Sequence, residues 1–285
     1  MRSLLTPGNV SCCDALMYVT CQPCAALASR VEKLWCCDGH SGINGKDRAL
    51  PDGRFQLAFS LAEGPISALA DPMGDGGGIA PSLLIGIRSR FSIIDTAKLR
   101  SAMGVVFRPG GVHAFLSMPA DAFRDKNVSL DLIWGSMVQT LRDRLRSAND
   151  PAKKFQILEV ALLSRINERV QLNTAVRYAL QEFARKPQIP RVRELAQEAR
   201  LSRRRFAQVF REQIGLTPKL YCRLQRFQNA LKQIASGASV DWAQIALAAG
   251  YCDQAHLAHE FRDFSGLSPS AYLAAAAPAN HTSID

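Results

Sequence analysis

An internal repeat in the last third of the chain constrains the fold more than any other feature. One copy reads Val192-Arg-Glu-Leu-Ala-Gln-Glu-Ala199, then Leu201-Ser202, Phe206, Phe210, Gly215-Leu216-Thr217-Pro218 and Tyr221. The other reads Trp242-Ala-Gln-Ile-Ala-Leu-Ala-Ala249, then Tyr251-Cys252-Asp253, Leu257, Phe261, Gly266-Leu267-Ser268-Pro269 and Tyr272. The offset is 50 residues between Val192 and Trp242 and 51 between Phe206 and Leu257, so the second copy has one extra residue at its middle turn. A repeat of this length, in the same order and residue type, marks one supersecondary unit used twice.

Each copy has the grammar of helix, turn, helix. Val192, Leu195, Ala196 and Ala199 fall at i, i+3, i+4 and i+7, the buried stripe of a first helix. Ser202 and Asp253 are the residue types that cap a second helix at its N-terminus. That helix is expected to bury Phe206, Val209, Phe210 and Ile214 in one copy, and Leu257, Phe261 and Phe264 in the other. Gly215 and Gly266 stand where a left-handed C-terminal stop belongs, with Pro three residues on. Leu220 to Ala235 lies between the copies, with Leu224, Phe227, Leu231 and Ile234 on one face. A helix of about 18 residues is near 27 Å long. That is close to the roughly 34 Å between successive major-groove faces of DNA.

The exposed side of the second helix in copy one opens Arg203-Arg204-Arg205 and continues through Ala207, Gln208 and Arg211. Three cations in a first helical turn oppose the positive end of the macrodipole, at about 0.3–1 kcal/mol each. Phosphates at that helix end would turn the penalty into attraction. Nine Lys or Arg and one Glu lie between Arg200 and Lys232, in a chain of net charge +10. Charge alone fits nucleic acid, an anionic surface or simple solubility. On a capped helix in a repeated unit it favours DNA.

Ahead of the repeat, hydrophobic residues make up 47% of the 285-residue chain, ample for packed cores. Up to about Asp125 the pattern is short apolar runs cut by Gly and Pro. Strands are expected over Phe55 to Leu61, Ser82 to Phe91 and Ala102 to Phe107, with Leu50-Pro51-Asp52-Gly53-Arg54 as a turn and Ala25 to Trp35 as a short helix. Ser129 to Arg185 reads as a connector of two or three helices, with Leu132, Met137, Leu141 and Leu145 on one stripe and Phe155, Leu158, Leu162 and Ile166 on another. Pro187 and Pro190 then mark a boundary. The expected fold class is α+β multidomain. It comprises a β-rich domain at 1–128 in the form of an antiparallel barrel or sandwich, a connector at 129–186, and an all-α domain at 187–275. Within the last, units 191–217 and 241–268 are joined by a helix at about 218–236, and 276–285 is a tail.

The repeat resembles the AraC/XylS family of bacterial transcription regulators over about Arg191 to Tyr272. The most specific stretch is Ile245 to Leu257, with Gly250-Tyr251, Asp253-Gln254 and His256-Leu257, continuing to Phe261 and Gly266-Leu-Ser-Pro269-Ser-Ala-Tyr272. The resemblance implies sequence-specific binding of double-stranded DNA, with the second helix of each unit reading bases. Carried over by position, the base readers are Arg203, Arg204, Ala207 and Gln208, then Gln254, Ala255, His256, Ala258 and His259. Arg pairs bidentately with guanine and Gln with adenine, while Ala touches a thymine methyl. Phosphate contacts fall to Arg205, Arg211, Lys219, Arg223, Arg226 and Arg262. Unit two carries fewer cations, and Asp253, Glu260 and Asp263 besides. Leu34-Trp35, Leu50 to Arg54 and Val106 to Gly111 with Phe115 resemble a sensor domain found ahead of such readers. Sensor domains of the wider family are often cupin-like barrels that bind a small effector and help dimerise. A small effector, a second copy of the chain and RNA polymerase are thus the further partners it implies. Trp35, Arg108 and His113 are the effector-contacting candidates.

Other chemistries find less support. Six of the eight cysteines lie between Cys12 and Cys37. Cys21, Cys24, Cys36 and Cys37 are weak candidates for a thiol or metal sensor, and a DNA-repair alkyl acceptor would need one nucleophilic Cys among the six. Their spacing matches no zinc module, and Cys is also a common core residue. Only His40 and His113 precede the repeat, which argues against a metal-dependent barrel enzyme. Asp75-Gly76-Gly77-Gly78 lacks the dinucleotide and Walker patterns, and no Gly-x-Ser-x-Gly elbow is present. A non-enzymatic protein without cofactor is expected. No apolar run approaches the roughly 18–20 residues that span a bilayer. The N-terminus lacks a secretory pattern, so the expected location is the cytoplasm.

Overall fold

The computed structural model describes residues 16–39, 46–66, 69–70, 80–95, 101–185, 192–235, 241–274 and 281–284. Cys12, Cys13, His40, the Gly76–Gly78 loop and the Pro187–Pro190 boundary lie outside the described residues. Among the described residues no helix is long and apolar enough to cross a membrane.

The N-terminal part is antiparallel sheet. Strands β1 (Leu16–Cys21), β2 (Val31–Gly39), β4 (Gln56–Ser60), β6 (Ser82–Ile85), β8 (Ser101–Phe107) and β9 (Asn127–Ser129) form one sheet, in the order β1-β2-β8-β4-β6-β9. A second sheet has the order β10-β3-β7-β5, from β3 (Lys46–Ala49), β5 (Leu69–Ala70), β7 (Ser92–Asp95) and β10 (His281–Ile284). Two open sheets therefore replace the closed barrel, one of the two forms expected. Closure requires every strand to have two partners and a consistent stagger. Here β3, β5 and β7 pair with one another instead, and β1 and β9 remain edges among the described residues. Part of the expected tail, His281–Ile284, pairs with β3.

Alternation decides which face is core. Leu57 and Phe59 of β4, Leu84 of β6, and Met103, Val105 and Phe107 of β8 belong to one continuous core, while Ala58 and Leu83 face a smaller cluster against Trp35, Ile85 and Ile94. The helix expected over Ala25 to Trp35 is instead one turn followed by β2. Leu27 and Ala28 donate their N–H groups to the Cys24 carbonyl, and Val31 donates to Leu27. From Val31 the chain pairs with both β1 and β8. A register shift between Val31 and Lys33 inserts an extra residue. Val31 and Leu34, three apart, consequently both reach the core, and a bulged strand imitates helical spacing. The run from Ser82 to Phe91 is likewise shorter than expected as a strand. It leaves the first sheet after Ile85 and crosses toward β7 in the second.

The connector contains α1 (Asp131–Trp134), α2 (Met137–Ser147), α3 (Pro151–Arg165) and α4 (Thr174–Arg185). The buried stripe of its first half runs Trp134, Val138, Leu141 and Leu145. Leu132, placed on that stripe from sequence, is 81% exposed. Gly135 breaks the helical phase at φ +74, so spacing counted across it carries no information about face. Asp150 caps α3 by accepting the Lys153 N–H, with Pro151 in the first turn.

The repeat folds as two helix pairs around one rod. They are α5 (Val192–Glu198) with α6 (Arg203–Ile214), and α8 (Trp242–Ala249) with α9 (Gln254–Ser265). The rod is α7 (Pro218–Ala235), and α10 (Pro269–Ala274) follows. Both inner turns close alike, with Leu201 donating its N–H to Ala196 and Tyr251 to Ala246. The left-handed residue is Arg200 in one and Gly250 in the other. Cys252 is the extra residue of the second turn and is exposed.

The two parts of the chain are tightly joined. Phe91 donates its N–H to the Phe264 carbonyl, and Arg48 donates to the Ser265 carbonyl while lying 4.7 Å from the Phe91 ring centroid. Gln228 of α7 donates to the Pro51 carbonyl at 2.7 Å. Gly266 sits at φ +73, and a Cβ there would lie 2.6 Å from both the Arg48 guanidinium and the Phe91 ring. Gly266→Ala is expected to lower stability by about 1–2 kcal/mol, from the left-handed backbone plus displacement of these neighbours. Chemical denaturation checks it, and an unchanged midpoint would refute the packing argument.

Candidate nucleic-acid interface

Helix α6 is oriented by its apolar side. Phe206, Val209, Phe210 and Ile214 are buried, with Phe210 set edge-on to Phe183 and Tyr221. This leaves Arg203, Arg204, Arg205, Gln208 and Arg211 exposed, and Ala207 half-buried. Ser202 accepts the Arg205 N–H at 3.2 Å, and Gly215 ends the helix at φ +90. The cap serves one orphan donor of the first turn, and other N–H groups there are available to an anion. Gln208 donates to Glu212 at 2.8 Å, an exposed contact that a base edge can replace.

Helix α9 is built the same way. Asp253 accepts the His256 N–H at 2.7 Å, Gly266 ends the helix, and Leu257, Phe261 and Phe264 are buried. Gln254, Ala255 and His259 are exposed, whereas His256 and Ala258 are half-buried. His256 meets the Tyr251 ring edge-on and has Glu260 at 3.5 Å, while His259 lies 3.7 Å from Asp263.

The phosphate candidates divide into two groups. Arg205, Lys219 and Arg262 are exposed. Arg223 instead donates to Glu260 and Asp263, each at 2.8 Å, and Arg226 donates to Glu260 at 3.0 Å. Arg211 donates to Asp121 at 2.8 Å. Glu260 is only 4% exposed, and its network was missed in the sequence. The available signal was position, since Glu260 lies on the stripe with Leu257, Phe261 and Phe264. A carboxylate on a buried stripe must find cations, and α7 supplies two.

The N-terminal candidates take separate partners. The Trp35 ring stacks on Tyr18 at 6.3 Å, and Gly104 leaves space for it. Arg108 donates to the Ala28 carbonyl at 2.8 Å. His113 lies in a 3-10 turn, Gly111–Phe115, with its Nε2 3.5 Å from the Gln213 amide of α6, and burial lowers its pKa. A cavity of about 290 Å³ opens where the loop around Asp52 and Arg54 meets Tyr221, Gln225 and Lys232 of α7. Burial raises the thiols of Cys21 and Cys36, and raises that of Cys37 to about 11. A nucleophilic or redox-active thiol needs the opposite shift. Among the described residues no group of three or more His, Cys, Asp or Glu could hold a metal ion.

Residues 195–275 match the family model described as a helix-turn-helix domain, and residues 19–129 match a domain of unknown function (DUF6597). An uncharacterized HTH-type transcriptional regulator of Haemophilus influenzae is 35% identical over 120 residues, 41% of this chain and 37% of that protein. The chain therefore spans little more than a third of that relative's length. The DNA-binding domain of AdpA, solved with a target DNA, aligns at 30% identity over 35% of this chain and 87% of that one, with a TM-score of 0.31. ToxT of Vibrio cholerae, solved with an unsaturated fatty acid, aligns at 12% identity over 96% and 97% of the two chains, with a TM-score of 0.41.

Two capped helix pairs on a shared rod define a tandem helix-turn-helix domain. Over residues 195–275 the C-terminal part of this chain is similar to helix-turn-helix domains.

Proposed function

We propose that this chain is a sequence-specific transcription regulator in which α6 and α9 read successive major grooves on one side of a duplex. One observation carries the reading. Two like helices, capped by Ser202 and Asp253, present polar faces from a common 18-residue rod while their apolar faces are buried. The rod's length of about 27 Å suits one turn of DNA. Base contacts fall to Arg203, Arg204, Ala207 and Gln208 in the first unit, and to Gln254, Ala255, His256, Ala258 and His259 in the second. Phosphate contacts fall to Arg205, Lys219 and Arg262. Arg223 and Arg226 act instead as the cations that hold Glu260.

The proposal extends to a cytoplasmic, non-enzymatic protein whose N-terminal domain takes a small effector. The cavity beside Tyr221, Gln225 and Lys232 supports this, because a ligand there would touch both the N-terminal loop and the rod. A thiol or metal sensor is disfavoured by the burial of Cys36 and Cys37. A homodimer and a contact with RNA polymerase complete the scheme.

Selection from random duplexes at fixed salt tests it. A motif spanning two successive major grooves is expected, and sequence-independent binding alone would overturn the reading. Arg204→Ala is expected to relax one half of that motif and weaken binding by about 1–3 kcal/mol, the discrimination of one bidentate pair. Uniform weakening across all sequences would make Arg204 a phosphate contact instead.

A further inference from the structure

The N-terminal domain does more than sit beside the first recognition helix. A short 3-10 turn, Ala120–Phe123, packs directly on α6, anchored by the burial of Ala120 and Phe123. This places Asp121 against Arg211, with the carboxylate Oδ2 2.8 Å from the guanidinium Nε. Arg211 lies four residues from Ala207 and eight from Arg203, on the face assigned to DNA, and its side chain is 47% exposed. The same end of α6 is held by further N-terminal contacts. Gln213 approaches His113, and Gly215 sits so close to Ile87 and Phe55 that a Cβ there would lie 2.7 Å from Ile87. The carboxylate is thus fixed by packed backbone and not by a free side chain reaching out.

We infer that Asp121 is a built-in stand-in for a DNA phosphate: by occupying Arg211 it restrains the first reading unit and withholds that guanidinium from DNA. The inference rests on the DNA reading proposed above. A carboxylate and a phosphate oxygen accept the same charge-assisted hydrogen bond from a guanidinium, so the two compete for one donor. The pair is partly exposed, and ion pairs of that kind are weak enough to be exchanged. Movement of the Ala120–Phe123 turn away from α6 would free Arg211 without altering the base-reading residues. The N-terminal domain thereby has a direct route to DNA affinity.

The test uses the full chain and a duplex recovered by selection, titrated over a range of salt. Asp121→Asn is expected to tighten binding by about twofold to fivefold, the range of a partly exposed ion pair. It should also steepen the dependence of log K on log salt by about 0.9, the increment for one more phosphate neutralised. In an Arg211→Ala background the same substitution should change neither quantity. An equal improvement in that background would overturn the inference, because it would report general relief of repulsion and not competition for Arg211. So would unchanged affinity and slope in Asp121→Asn. Asp121→Ser serves the same purpose should the Asn variant fold poorly, as judged by thermal unfolding. Arg204→Ala measured alongside separates the two levels. If it leaves motif binding intact, the DNA reading itself fails. If it weakens binding while Asp121→Asn does nothing, only the restraint is lost.

Discussion

Phe227→Ala is expected to cost about 3–5 kcal/mol, the range for removing a large aromatic side chain from a tight core. Phe227 is fully buried on the rod α7, 5.1 Å from the ring centroids of both Phe261 and Phe264. It therefore joins the rod to α9, and its loss is expected to open a cavity between them. Urea unfolding followed by circular dichroism would measure the effect. A loss below about 1 kcal/mol would mean that the two helices repack freely. Their fixed separation, on which the proposed two-groove binding depends, would then lose its support. At temperatures where the variant remains folded, weakening should be confined to the half-site read by α9.

Glu260→Ala is expected to cost about 3 kcal/mol, near the lower end for breaking a buried ion pair. Its carboxylate accepts from Arg223 and Arg226, whose side chains are 29% and 19% exposed, so water offsets part of the loss. Arg223 also keeps Asp263. Glu260→Gln retains an acceptor and should cost less. Comparing the denaturation midpoints of the two variants isolates the charge. Equal losses would show that the charge alone holds α9 on α7, and a Gln variant as stable as the wild type would show that shape and a neutral acceptor suffice. The same variants bear on the assignment of the two arginines. If Arg223 and Arg226 were primarily phosphate contacts, Glu260→Ala would tighten DNA binding by freeing them. The geometry leads us to expect weaker binding at the second half-site.

Legibility from sequence differed sharply between the two parts of the chain. In the repeat, caps, stops and apolar stripes were all local, and the residues named for them occupy those places. Ser202 and Asp253 accept the expected N–H groups, and Gly215 and Gly266 adopt positive φ. Helical structure is set by neighbours three and four residues away, so a short window contains the information. The sheet region was harder. The bulge at Val31–Lys33 gave a strand the spacing of a helix, and Leu132 was assigned a face across a break at Gly135. Pairing partners lie far apart in sequence, as β4 with β8 does, and no local pattern encodes them.

By itself the amino-acid sequence determined the tandem helix-turn-helix, its rod, and the residues that face outward from its second helices. Only the tertiary structure decided which of its arginines pair with a carboxylate. Side-chain chemistry makes Arg205, Arg211, Arg223 and Arg226 equivalent, and exposure on a helix of known phase separates them only in part. What distinguishes them is a carboxylate brought from elsewhere: Glu260 from α9 to the rod, and Asp121 from the N-terminal domain to α6. A guanidinium goes to the acceptor that folding places within reach, and that placement is a property of the packed chain.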